Sequence, residues 1–254
     1  MIRREIDIFL TALMFYTRIP VHSRLNYTYD PSYLQASSRY FPLIGWIVGG
    51  MAGITYWLAQ QWWPISISVM LSMGLSIIVT GALHEDGWAD VCDGFGGGFT
   101  KARVLAIMKD SQLGSYGSIG LIFVLGLKAV SLIELSHSGE LPLFLFVAHS
   151  VSRLAAISLV YTHEYVRSDE TSKAEPLANK IGGGSMIIAT LFGLLPLLLL
   201  SPQLWFTLAG VVIVTLGMTR WFVQRIGGYT GDCLGAVQQM TELIFYLWLV
   251  GLLR

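Results

Sequence analysis

The chain of 254 residues carries 16 basic and 16 acidic side chains, is 54% hydrophobic and 13% charged, and has a mean hydropathy of +0.62. A soluble domain of this size carries about 25% charged residues, so the composition excludes one and reads as a single all-α integral membrane domain over residues 1–254. Zero net charge gives no support to nucleic-acid or polybasic lipid binding. The two cysteines, Cys92 and Cys233, are too few for a disulfide framework or a thiolate zinc site.

In chain order, residues 4–16 form an apolar N-terminal helix that lies at the interface or enters the bundle. Arg3, Arg4, Glu5 and Asp7 interrupt the start, so no cleavable leader is expected. About seven spans follow, each near the roughly 20 residues a bilayer core demands: Tyr40–Leu58, Ile65–Leu83, Tyr116–Leu135, Leu141–Tyr161, Met186–Leu200, Leu204–Met218 and Val237–Leu253. The fifth and sixth are short and joined by Ser201-Pro202-Gln203, which predicts a tight hairpin. The segments 84–115, 162–185 and 219–236 are long and charged, and thirteen of the sixteen Lys and Arg residues fall on their side. The positive-inside bias then places these segments, and the acidic motif among them, in the cytoplasm.

That motif is His84-Glu85-Asp86-Gly87-Trp88-Ala89-Asp90-Val91-Cys92-Asp93-Gly94, four carboxylates within nine residues at the end of an apolar run. If the second span continues as a helix past the membrane surface, Asp86, Asp90 and Asp93 share one face at i, i+4 and i+7. Like charges at that spacing repel unless a cation sits between them. Oxygen-only donors suit a hard ion such as Mg²⁺, which keeps waters and bridges to phosphate. Glu85 falls off this face and reads as solvated. The competing reading is a solvated helix end capped by Gly94.

The run Gly94-Phe95-Gly96-Gly97-Gly98 is expected to break the helix, and Thr100 to cap a new one through Lys109. In Asp110-Ser111-Gln112-Leu113-Gly114-Ser115-Tyr116-Gly117, Gly114 and Gly117 are candidates to hold phosphate through backbone N–H groups at a helix start. Lys109 is a candidate to neutralise it, and Asp110 a candidate ligand or base. An ordinary glycine-rich turn explains the same pattern. In the last polar cluster, Arg225 is a candidate phosphate partner and Asp232 a candidate to complete the metal site, with a helix cap as the alternative. Lys128, Arg153 and Glu242 lie within spans and should face the bundle interior.

Together these segments resemble the cobalamin synthase family. The matching pieces are Phe15 to Val21, Phe41 to Gly45, His84 to Gly94, Ile107 to Gly117 and Gly227 to Gly235. The family's acidic pattern maps to His84, Asp86, Gly87, Ala89, Asp90, Asp93 and Gly94, while Glu85 stands where an apolar residue is expected. The resemblance implies a Mg²⁺-dependent enzyme of the bacterial inner membrane with its active site facing the cytoplasm. It would join adenosylcobinamide-GDP to α-ribazole or its 5′-phosphate and release GMP. Asp86, Asp90 and Asp93 would hold Mg²⁺, and Asp110 or Asp232 would assist the metal or accept the proton. A lipid enzyme of the CDP-alcohol phosphotransferase type also clusters aspartates on membrane helices, but its Asp-Gly-x-x-Ala-Arg pattern is not reproduced. A cation transporter would place carboxylates mid-span, where Glu242 is the clear case.

Overall fold

The computed structural model describes residues 2–21, 27, 30–167 and 181–254. Among these, every regular element is helical, and one isolated bridge joins Tyr165 to Tyr229. The helices are α1 (Ile2–Tyr16), α2 (Pro31–Ser37), α3 (Phe41–Ala59), α4 (Ile65–Thr80), α5 (Leu83–Gly97), α6 (Lys101–Lys109), α7 (Ser115–Ser136), α8 (Leu141–Thr162), α9 (Gly183–Leu194), α10 (Thr207–Ile226) and α11 (Gly231–Leu253).

Among the described residues, five helical runs are long and apolar enough to cross a bilayer: 31–59, which ends in α3, then α7, α8, 202–226, which contains α10, and α11. Two of the seven expected spans differ. The fifth is α9 with a 3₁₀ turn at Leu195–Leu199, a shorter apolar rod. The second is broken, because α4 ends at Thr80 and α5 leaves at 87° to it. Gly81 (φ 66°) and Ala82 (φ 57°) both adopt the left-handed conformation that ends α4, and the Ala82 N–H donates to Ile77 O at 2.9 Å. Glycine takes that conformation freely and alanine only against a penalty. A sixth span results only if the bent pair is counted as one. Helix α5 thus lies across the direction of α4.

The bundle is built around α8, 78% of whose apolar window is buried, against 28% for α7 and 33% for α10, which face outward. In α3, Gly45, Gly49 and Gly53 let the helix lie against α8. A Cβ at Gly49 would sit 2.8 Å from Leu145 O, and one at Gly53 3.0 Å from Pro142 O. Small residues four apart are the usual device for close approach in lipid, where apolar burial gives no drive between helices.

Candidate active site

The acidic helix α5 is positioned by α11. A Cβ at Gly87 would lie 2.8 Å from Asp232 O, and one at Gly235 3.2 Å from His84 O. These two glycines let the backbones meet, which brings the first turn of α11 beside Asp86 and Asp90. Gly87→Ala must push α11 away, because the obstruction is backbone. Overpacking of this kind costs about 1–3 kcal/mol, and a lowered unfolding midpoint in detergent would register it.

Helix α5 runs on to Gly97, past the glycine run expected to break it. Asp86 is therefore exposed, Asp90 half-buried and Asp93 buried along one helical face. Asp232 joins them from α11, with 19% of its side chain exposed. Burial pushes Asp90 up to about 7, and the negative charges of Asp232, Asp86 and Asp93 act in the same direction against Arg167.

Asp93 has a second task. Its Oδ2 accepts from Gly114 N–H at 2.7 Å and its Oδ1 from Gly117 N–H at 2.9 Å. These are the two N–H groups that the sequence reading assigns to phosphate. The helix start of α7 does attract an anion, and the anion is a carboxylate of the same chain. Arg225, the expected phosphate partner, likewise turns inward: its Nη2 donates to Phe95 O at 3.3 Å and to Gly98 O, closing the C-terminus of α5. Thr100 caps α6 through the Arg103 N–H at 3.3 Å, as expected. Lys109 is exposed at the end of α6. Exposed Asp110 follows it and accepts from Gln112 N–H at 3.1 Å.

The other face of α5 meets the bundle interior. Glu85 is buried, not solvated, and its Oε1 accepts from Gln239 Nε2 at 2.9 Å. The bend after α4 is the reason: it turns α5 across the direction of α4, so the face opposite Asp86 meets the core. There Lys128 donates to Gln239 Oε1 at 2.7 Å and pairs with Glu242 at 3.1 Å. Arg153 Nη1 lies 3.0 Å from His149 Nδ1, and Nη2 lies 3.3 Å from His84 Nε2. Arginine only donates, so both imidazoles accept and are neutral. Lys128, Arg153 and Glu242 thus all face inward and are paired, as their positions within spans require.

Among the described residues, no three His, Cys, Asp or Glu side chains converge closely enough to hold a metal as they stand. The donor chemistry nevertheless suits a hard divalent cation. Asp86, Asp90 and Asp232 offer only oxygen, crowd one another and border solvent. His84 is held by Arg153, and Cys92 and Cys233 are free thiols outside this donor set.

Sequence reasoning missed Arg167. Its Nη2 pairs with Asp232 Oδ2 at 2.9 Å and donates to Met108 O at 2.9 Å. No motif surrounds it, and only its place among the charged loop residues set it apart.

Comparison with known proteins covers the same span as this geometry. The family model for cobalamin-5-phosphate synthase matches residues 8–250. A protein of Leptothrix cholodnii called adenosylcobinamide-GDP ribazoletransferase is 45% identical over 260 residues, covering 97% of this chain and 96% of its own. Proteins of the same name are 45% identical in Shewanella oneidensis and 44% in Shewanella putrefaciens, each over 97% of this chain and 95% of the relative. No solved structure matches significantly. The chain belongs to the cobalamin-5-phosphate synthase family.

Proposed function

We propose that this protein transfers the adenosylcobinamide phosphate of adenosylcobinamide-GDP to α-ribazole, or to its 5′-phosphate, releasing GMP on the cytoplasmic side of a bacterial inner membrane. The observation that carries this reading is the acidic face of Asp86, Asp90 and Asp232 at the rim between α5 and α11, in a chain of this family. A ribose hydroxyl attacks the cobinamide-side phosphorus of the diphosphate. The P–O bond to GMP breaks, and the hydroxyl proton leaves.

Asp86, Asp90 and Asp232 would hold Mg²⁺, which when bound neutralises phosphate charge and assists the leaving group. By holding that ion the three carboxylates would place positive charge beside α5 for the diphosphate. Asp93 keeps the start of α7 docked on α5 and is assigned that structural role, not a ligand's. Of the three carboxylates, Asp90 takes up its charge least readily, so its ionisation limits how well the face receives a cation.

The test is GMP release from adenosylcobinamide-GDP and α-ribazole by the purified protein, with Mg²⁺ and after chelation. Release is expected only with the metal, and its absence under both conditions refutes the transfer. The pH dependence follows from Asp90. Below about 7 it is protonated and binds a cation poorly. Activity should rise through that pH, and more Mg²⁺ should be needed at pH 6 than at pH 8.

A further inference from the structure

We infer that Arg167 receives the diphosphate of the nucleotide-activated substrate, a role that rests on the transfer proposed above. Arg167 ends a segment tied down by backbone: Val166 N–H donates to Tyr229 O at 3.0 Å, and Tyr229 N–H to Glu164 O at 3.1 Å. A Cβ at Gly228 would run into Glu164 O, so glycine is what lets these segments lie so close. From this fixed base the guanidinium reaches the Asp232 carboxylate at 2.9 Å.

Its location separates it from the three cations turned into the protein. Arg153 and Lys128 are 1% and 5% exposed inside the bundle, and Arg225 is turned to the carbonyls at the end of α5. Arg167 keeps 18% of its side chain exposed and lies close enough to the acidic face to act on Asp90 as well as Asp232. It sits where a diphosphate must lie to meet those carboxylates.

The chemistry fits an anion. Four aspartates on or beside this face repel a diphosphate, and a cation at the rim offsets that repulsion. Arginine presents five N–H donors in a planar fork that matches phosphate oxygens two at a time. Among the described residues, the bonds of Arg167 to Asp232 and Met108 both leave from Nη2. The Nε–Nη1 edge is the one assigned to the phosphates. Arg167 then serves the substrate, and its pairing with Asp232 holds the fork in place before the diphosphate arrives.

The experiment uses full-length protein in detergent with Mg²⁺ and GDP as the binding probe. Arg167→Met should weaken GDP binding by about tenfold or more, the scale of a charge-assisted pair. Arg167→Lys should recover only part of it. The KM for α-ribazole should move less than about twofold, and the Mg²⁺ concentration for half-maximal activity should not rise. Unchanged GDP affinity with a raised Mg²⁺ requirement would mean that Arg167 only steadies Asp232, and the inference falls. Should Arg167→Met fail to fold, Arg167→Lys decides: full GDP affinity in it overturns the fork. Wild-type GDP binding that depends on Arg167 without any GMP release would sink the transfer and leave this site standing. GMP release with GDP affinity indifferent to Arg167 would do the reverse.

Discussion

Asparagine at Asp86 or at Asp90 is expected to lower turnover by about 10³-fold while leaving the unfolding midpoint unchanged or slightly raised. Neutralising phosphate charge with a bound ion is worth several kcal/mol of barrier, and each 1.36 kcal/mol is about tenfold in rate. Asparagine keeps the shape of the side chain and removes a ligand charge. Asp86 is exposed and Asp90 half-buried, so neither change opens a cavity. Because burial and Asp232, Asp86 and Asp93 all disfavour a charge on Asp90, its removal relieves repulsion in the substrate-free protein. Activity and stability therefore move in opposite directions, which separates a functional carboxylate from a structural one. Steady-state GMP release and thermal unfolding of the same preparations supply both readings. Near-wild-type turnover in both variants would remove the acidic face from the mechanism.

Most helices were legible from apolar runs, because a span must bury its backbone polar groups in its own hydrogen bonds and therefore shows as continuous hydrophobicity. The expected spans at Tyr116–Leu135 and Leu141–Tyr161 agree with α7 and α8 to within a residue at each end. The bend at Gly81 and Ala82 was not legible, since Leu83 prolongs the apolar run and left-handed alanine has no sequence signature. That one omission misplaced Glu85, which the bend turns toward the core. The glycine run 94–97 misled for a different reason. It stays helical because its missing side chains make room for neighbours: a Cβ at Gly96 would lie 2.7 Å from the Tyr116 ring. Packing outweighs intrinsic propensity there. Gly114, Gly117 and Arg225, read from the sequence as phosphate partners, bond within the chain to Asp93 and to the carbonyls of Phe95 and Gly98. Asp86 and Asp90 could be grouped from spacing alone. Arg167 and Asp232 meet only through tertiary contact, which spacing does not encode.

The buried polar cluster supports the second large effect. With His84 and His149 accepting from Arg153, the close ion pair of this cluster is Lys128 with Glu242, 3.1 Å apart and buried. Lys128→Met leaves one uncompensated negative charge inside the bundle, and Glu242→Leu leaves one positive. Removing one member of a buried pair costs about 3–5 kcal/mol, and each single variant should show a loss of that size. The double variant removes both members of the pair and should recover most of the loss. Gln238 Nε2, 2.6 Å from Glu242, and the Tyr246 hydroxyl, 3.2 Å from it, lose their acceptor in the double variant, so the recovery is incomplete. A double-mutant cycle of unfolding free energies isolates the coupling. Strictly additive losses would show that Lys128 and Glu242 do not compensate one another. A coupled result would also explain how α5 is held: Glu85 reaches Gln239, which Lys128 holds, and His84 reaches Arg153. The charge balance within the membrane then fixes the helix whose opposite face carries Asp86 and Asp90.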